Sequence, residues 1–154
     1  MRIVAIAAVI SAAAATCLCA CGGSATGSKA ANSIVGAWLV NDPNAPFPFH
    51  MYVFNADGTM QQANPDAGDS RGSDSDGKGM WIADGAHVRG KWVEVIADRA
   101  THQYAGRLEI SYNIKVSGDS YAGTESVRSY DAAGNPTTAP ATPAQLTGKR
   151  VTLP

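Results

Sequence analysis

The sequence RLEISYNIKV, residues 107–116, decides the fold class, because apolar and polar side chains alternate along its whole length. The apolar positions are Leu108, Ile110, Tyr112, Ile114 and Val116, and the polar positions are Arg107, Glu109, Ser111, Asn113 and Lys115. Successive side chains of a β-strand point to opposite faces, so a period of two predicts a strand with one buried face and one solvated face. The rest of the domain shows little helical periodicity, and the pattern therefore indicates an all-β protein.

Further β-type segments lie on both sides of this strand and are separated by Gly, Asp, Asn and Pro. They predict eight strands, at about 33–40, 48–55, 59–64, 79–83, 87–97, 104–116, 120–131 and 146–153. Asp57-Gly58 and Asp84-Gly85 are tight-turn signals, because Gly adopts a positive φ without a steric cost. The segment 64–78 is rich in Asp, but its spacing does not complete a calcium loop, so we expect a solvated polar loop there and no metal site.

Eight consecutive strands with mostly short turns, in about 120 residues, favour an antiparallel meander that closes on itself, because closure removes exposed strand edges. We therefore predict an eight-stranded antiparallel up-and-down barrel. Gly36-Ala37-Trp38 on the first strand and the basic pair Lys149-Arg150 on the last resemble motifs of the lipocalins and related calycins. The resemblance implies a lipocalin-like or avidin-like barrel in which Arg150 packs over Trp38.

The first residues of the chain predict its location. Arg2 is followed by an uncharged, mostly apolar run to Leu18, which is typical of a secretory signal peptide. The ending Leu18-Cys19-Ala20-Cys21 resembles the lipobox of bacterial lipoproteins, which implies cleavage after Ala20 and attachment of lipid, including palmitate-type acyl chains, to Cys21. We therefore expect a signal peptide at 1–20, a Gly/Ser-rich tether at 21–32 and a barrel at 33–154. The membrane partner would be the bacterial cell membrane, on its extracytoplasmic face.

Charge and cysteine content narrow the classes of partner. The chain has 12 basic and 13 acidic side chains and no Lys/Arg cluster, so nothing predicts a nucleic-acid partner. All three cysteines, Cys17, Cys19 and Cys21, lie in the N-terminal segment, so the predicted domain contains no disulfide.

Two carboxylates stand out because they fall on predicted inward faces. Glu94 shares a face with Trp92 and Ile96, and Glu125 shares one with Tyr121 and Val127. Burying a carboxylate is costly unless it is paired. Either these residues anchor a ligand or transfer protons in a pocket, or they form ion pairs with Arg150 or Arg128, or a β-bulge turns them away from the inward face. The predicted ligand-binding residues are Trp38, Trp92, Glu94, Tyr112 and Glu125.

No catalytic motif accompanies these residues. His50, His87 and His102 lie on different elements without metal-binding spacing, and no nucleophile elbow or phosphate-binding loop is present, so we expect no cofactor. These observations favour a membrane-anchored protein that binds a small hydrophobic ligand inside its barrel. Two alternatives stay open, namely a barrel-type cyclase or isomerase that uses Glu94 or Glu125, and a structural or interaction lipoprotein with a filled core.

Overall fold

A computed structural model of the chain describes residues 34–65, 69–139 and 142–154. The predicted signal peptide, the tether, Cys21 and the start of the first predicted strand lie outside these residues. Within the described ranges, no helix is long and apolar enough to cross a membrane.

The protein is all-β, and its described residues form nine strands. These are β1 (Gly36–Asn41), β2 (Phe49–Phe54), β3 (Thr59–Ala63), β4 (Gly72–Asp74), β5 (Gly77–Asp84), β6 (His87–Asp98), β7 (Tyr104–Ser117), β8 (Ser120–Asp131) and β9 (Ala144–Arg150). Each of the eight predicted strands corresponds to one of these, with ends that differ by at most three residues.

The strands close into an antiparallel up-and-down barrel. Around the barrel the order is β6, β5, β3, β2, β1, β9, β8 and β7, and β7 pairs with β6 to complete the circle. The first and last strands meet through four residue pairs, from Trp38 opposite Arg150 to Asn41 opposite Thr147. The predicted eight-stranded barrel is therefore confirmed.

The prediction that segment 64–78 is a loop throughout is wrong. Within it β4 pairs with the end of β6, on the same side of β6 as β5, so that β4 and β5 occupy one position in the barrel. Ser75 lies between the two strands and is still tied to Val95, through its N–H (3.0 Å) and through its hydroxyl oxygen (3.1 Å). The sequence Gly72-Ser73-Asp74 lacks the apolar alternation that predicts a strand. It is a strand because it pairs with the longer β6 through backbone hydrogen bonds.

Strand β7 has the two faces that its alternation predicts. Ile110, Tyr112, Ile114 and Val116 are buried, and Leu108 is partly buried and packs against the same core. The polar positions between them are partly or fully exposed. The inward side chains of β7 thus belong to the apolar core, and its outward side chains are polar.

The packing of Arg150 over Trp38 that the calycin resemblance implied is present. The guanidinium carbon lies 4.2 Å from the centroid of the fully buried indole. Arg150 also donates to the Val35 carbonyl (2.8 Å) and to Asp119 (2.9 Å). Gly36 has a φ of +130°, and a Cβ there would lie 3.1 Å from the Arg150 Nη1. Glycine thus permits both the backbone conformation and the close approach of the arginine.

The two ends of the barrel differ in their connections. At one end, the closed end, short turns at 55–58, 85–86 and 118–119 join the strands, and Trp38 lies beneath Arg150. At the other end, the open end, the connections are longer, at 42–48, 64–71, 99–103 and 132–143. Buried side chains fill the closed half, among them Ile34, Phe54, Met60, Trp81 and Val88. The candidate site lies at this open end.

Candidate functional site

A cavity of about 670 Å³ occupies the open end of the barrel. Its mouth is formed by residues 42 and 44–47, which lie between β1 and β2, and by residues 142–145, which precede and begin β9. Its apolar wall consists of Trp92, Leu108, Ile110 and Val127 from three consecutive strands. The volume lies within the range of about 300–1,000 Å³ that is typical of small-molecule pockets.

Three of the five predicted ligand-binding residues line this cavity, namely Trp92, Glu94 and Glu125. Trp38 lies at the closed end beneath Arg150, outside the wall of this cavity. Tyr112 is also absent from the wall, because its hydroxyl points down to the Met60 sulfur (3.1 Å). Alternation predicts correctly that all five point inward, but it does not give their height along the barrel axis.

Glu125 is the centre of a buried acidic group. It is 5% exposed, and its carboxylate accepts a hydrogen bond from the Tyr52 hydroxyl (3.3 Å). Asp42, at the end of β1, is 6% exposed and lies beside it. Burial, and then hydrogen bonding and repulsion by Asp42, raise the pKa of Glu125 to about 8, while the Tyr52 hydroxyl opposes part of this rise. Two carboxyl groups in a dry site resist ionising together, so Glu125 is largely protonated at neutral pH.

Tyr52 joins this group to the cavity wall. Burial, followed by repulsion from Glu125, raises the pKa of Tyr52 well above its ordinary value, so the hydroxyl remains a hydrogen-bond donor. The Trp92 indole N–H lies near enough to oppose part of this rise, but without the geometry of a hydrogen bond. The indole nitrogen is therefore a buried donor at the cavity wall that has no hydrogen-bond partner among the described residues.

Glu94 lies on β6, within the apolar wall. It is 4% exposed, and burial, followed by repulsion from Asp74 and Asp76, raises its pKa to about 7. Neither predicted ion-pair partner reaches it. Arg150 is at the closed end, and Arg128 is exposed on the outer face opposite Glu109. In the described part of the chain, Glu94 forms no ion pair or hydrogen bond.

His50 is a site residue that sequence analysis did not select. Gln62 accepts the Gly77 N–H at its Oε1 (2.9 Å), so its amide nitrogen donates to His50 Nδ1 (3.0 Å) and to the Asn64 oxygen. The proton of the neutral imidazole is then on Nε2, which is buried without a hydrogen-bond partner in the described chain. Burial lowers the pKa of His50, although the Phe47 carbonyl and Asp42 oppose this, and the ring is therefore neutral at pH 7.

Gly77 makes this network possible. A Cβ at this position would lie 2.5 Å from Trp92 Cε3 and 2.9 Å from the Gln62 Oε1.

The alternation on neighbouring strands contains a usable signal for His50 and Gln62. His50 shares an inward face with Tyr52 and Phe54, and Gln62 shares one with Met60. By contrast, Asp42 and Asp74 lie at or beyond strand ends, where alternation has no meaning.

The charges that line the cavity are almost all acidic. Among the described residues of its wall and mouth are four carboxyl groups, those of Asp42, Asp74, Glu94 and Glu125, one imidazole and no Lys or Arg. No group of three or more His, Cys, Asp or Glu side chains that could hold a metal ion occurs in the described ranges. The cavity therefore combines an apolar wall with unneutralised carboxyl groups and two buried donors.

In comparisons with known proteins, the chain matches no protein-family model, no curated protein and no solved structure.

Proposed function

We propose that this protein is a membrane-anchored lipoprotein whose barrel binds a small hydrophobic ligand in the cavity of its open end. The observation that carries the proposal is the 670 Å³ cavity, with an apolar wall made by Trp92, Leu108, Ile110 and Val127. Binding would bury the apolar surface of a ligand at about 25 cal/mol per Å². A lipoprotein with a filled core, the structural alternative, would not leave this volume open.

The anchoring part of the proposal is supported by sequence. The signal peptide and the Leu18-Cys19-Ala20-Cys21 ending favour a lipid on Cys21. Residues 22–32 are small and polar, which suits a flexible tether between a membrane surface and a folded domain. The barrel would then meet its ligand on the extracytoplasmic side of a bacterial membrane.

Fluorescence titration of the full-length chain with the neutral dye Nile red tests ligand binding. Val127→Trp places a large ring in the cavity wall and should weaken dye binding at least about tenfold, because it removes volume from the site. Val95→Trp is the matched control, since Val95 is on the outer face and 51% exposed. Equal dye binding by both variants and the wild type would show that the dye binds elsewhere and would contradict the proposal.

A second candidate function is proton transfer, in a cyclase or isomerase. It is favoured by two cavity carboxyls, Glu94 and Glu125, whose pKa values are raised to about 7 and about 8. A group with a pKa near the working pH exchanges protons efficiently. Base-promoted ring opening of nitrobenzisoxazole reports such a group. A rate that rises through about pH 7 and disappears in Glu94→Gln would support this function, and a rate equal to that of an inert protein would exclude it.

A further inference from the structure

Glu94 presents an energetic problem that the barrel itself does not solve. Its carboxyl is 4% exposed and lines the cavity, yet no described residue neutralises it or donates a hydrogen bond to it. A buried carboxylate is ordinarily paired, because removing it from water is costly. None of the described residues supplies a partner for the carboxylate form, and the cavity is the space in which a partner from outside can bind.

The groups near Glu94 and Glu125 increase the free-energy cost of ionising these two carboxyls. From β4 and the residues that follow it, Asp74 and Asp76 repel charge on Glu94. On β8, Glu125 interacts with Asp42, which follows β1, with the Tyr52 hydroxyl and with Tyr121, and the charge of Glu94 also repels it. None of these groups is a cation.

His50 does not supply the missing positive charge. It is the single basic side chain among the described residues that line the cavity. Because burial lowers its pKa, the imidazole is neutral at physiological pH. The negative potential of the cavity is thus not balanced by any side chain at its wall.

We propose that the ligand is an organic ammonium cation with an apolar body, held with its charged head between Glu94 and Glu125 and its body against Trp92 and Leu108. The inference rests on the proposed function and names the chemical class of its ligand. An acyl carboxylate of similar length would meet repulsion from those carboxyl groups of the cavity that are ionised.

Binding of an ammonium cation should release protons from Glu94 and Glu125 to solvent. In the free protein Glu125 and part of Glu94 are carboxylic acids at pH 7, because their pKa values are about 8 and about 7. The ammonium group favours the carboxylates, so each neutral carboxyl that ionises releases its proton to solvent. The affinity for a permanently charged ligand should therefore rise with pH until both carboxyls are ionised in the free protein.

Calorimetric titration of the full-length chain with three octyl probes tests this inference. The probes are octyltrimethylammonium, octanol and octanoate, which share an apolar body and differ in charge. At about pH 8 the cation should bind at least about tenfold tighter than octanol, and octanoate should bind more weakly than octanol. Between about pH 6 and about pH 8 the affinity for the cation should rise, by at most about tenfold per pH unit for each proton released, while that for octanol stays constant.

Glu94→Gln and Glu125→Gln should each weaken binding of the cation at least about tenfold and leave octanol binding within about threefold, which also shows that the variants are folded. Glu109→Gln is the matched control, because Glu109 pairs with Lys91 and Arg107 outside the cavity. Octanol binding as tight as the cation, or unchanged cation binding by both cavity variants, would overturn the inference and leave the proposed function standing. Absence of binding by all three probes would overturn both.

Discussion

Replacing Glu94 by Gln removes a charge from the cavity wall while keeping the shape of the side chain. Since burial and the repulsion of Asp74 and Asp76 raise the pKa of Glu94 from 4.5 to about 7, the folded protein holds a proton there that the unfolded chain releases. The wild-type protein should therefore lose stability as the pH rises from about 4.5 to about 7, and the loss should level off above that range. The variant has no such group, so we expect Glu94→Gln to be more stable than the wild type at neutral and higher pH.

The pKa of Glu94 sets the size of this effect. Each tenfold change in acid dissociation corresponds to about 1.4 kcal/mol, so a rise from 4.5 to about 7 gives an upper bound of about 3 kcal/mol. Well below pH 4.5, Glu94 is neutral in both states, and the two proteins should agree within about 0.5 kcal/mol. A stability gain of this size is a large part of the 5–15 kcal/mol that is typical of a domain.

Urea unfolding, followed by tryptophan fluorescence at several pH values, measures the difference. Glu109→Gln is the control, because Lys91 and then Arg107 lower the pKa of Glu109 through hydrogen bonds. Its stabilising contribution is present above about pH 4.5 and is lost as the pH falls, so this variant should lose stability at neutral pH, by no more than about 1 kcal/mol. If Glu94→Gln unfolds at a lower urea concentration than the wild type at pH 8, Glu94 has a cationic partner in the fold, and our account of the cavity is wrong.

Three further predictions concern other parts of the chain. Trp38→Ala should lose about 3–5 kcal/mol in urea unfolding, because it removes a fully buried ring, and an unchanged midpoint would contradict the packing described here. Gly77→Ala should lose about 1–3 kcal/mol and shift tryptophan emission, since its Cβ would meet Trp92, whereas Gly72→Ala, with ordinary 3.6 Å contacts, should be tolerated. Cys21→Ser should abolish incorporation of a labelled fatty acid, because a serine cannot form the thioether, and label that persists on the variant would disprove anchoring at this residue.

Much of the barrel could be predicted from the sequence, since its determinants are local. The alternation in residues 107–116 sets the two faces of β7, and similar patterns place seven other strands within three residues of their observed ends. Asp-Gly turns and the absence of long connections at one end favour a meander, and the avoidance of open edges favours closure. The packing of Arg150 on Trp38 followed from a motif that Gly36 makes sterically possible.

The candidate site depended on information that alternation does not contain. A period of two places Glu94, Glu125 and Tyr112 on inward faces, but which of them reach the cavity depends on register and strand tilt around the closed barrel. Asp42 and Asp74 reach the site from the end of β1 and from the short β4, and the orientation of Gln62 sets the tautomer of His50. Local sequence determined which side chains point inward, because that choice follows from backbone geometry. The tertiary structure alone decided which half of the barrel is filled, and which carboxyls meet without a cation, because these depend on contacts between strands distant in the chain.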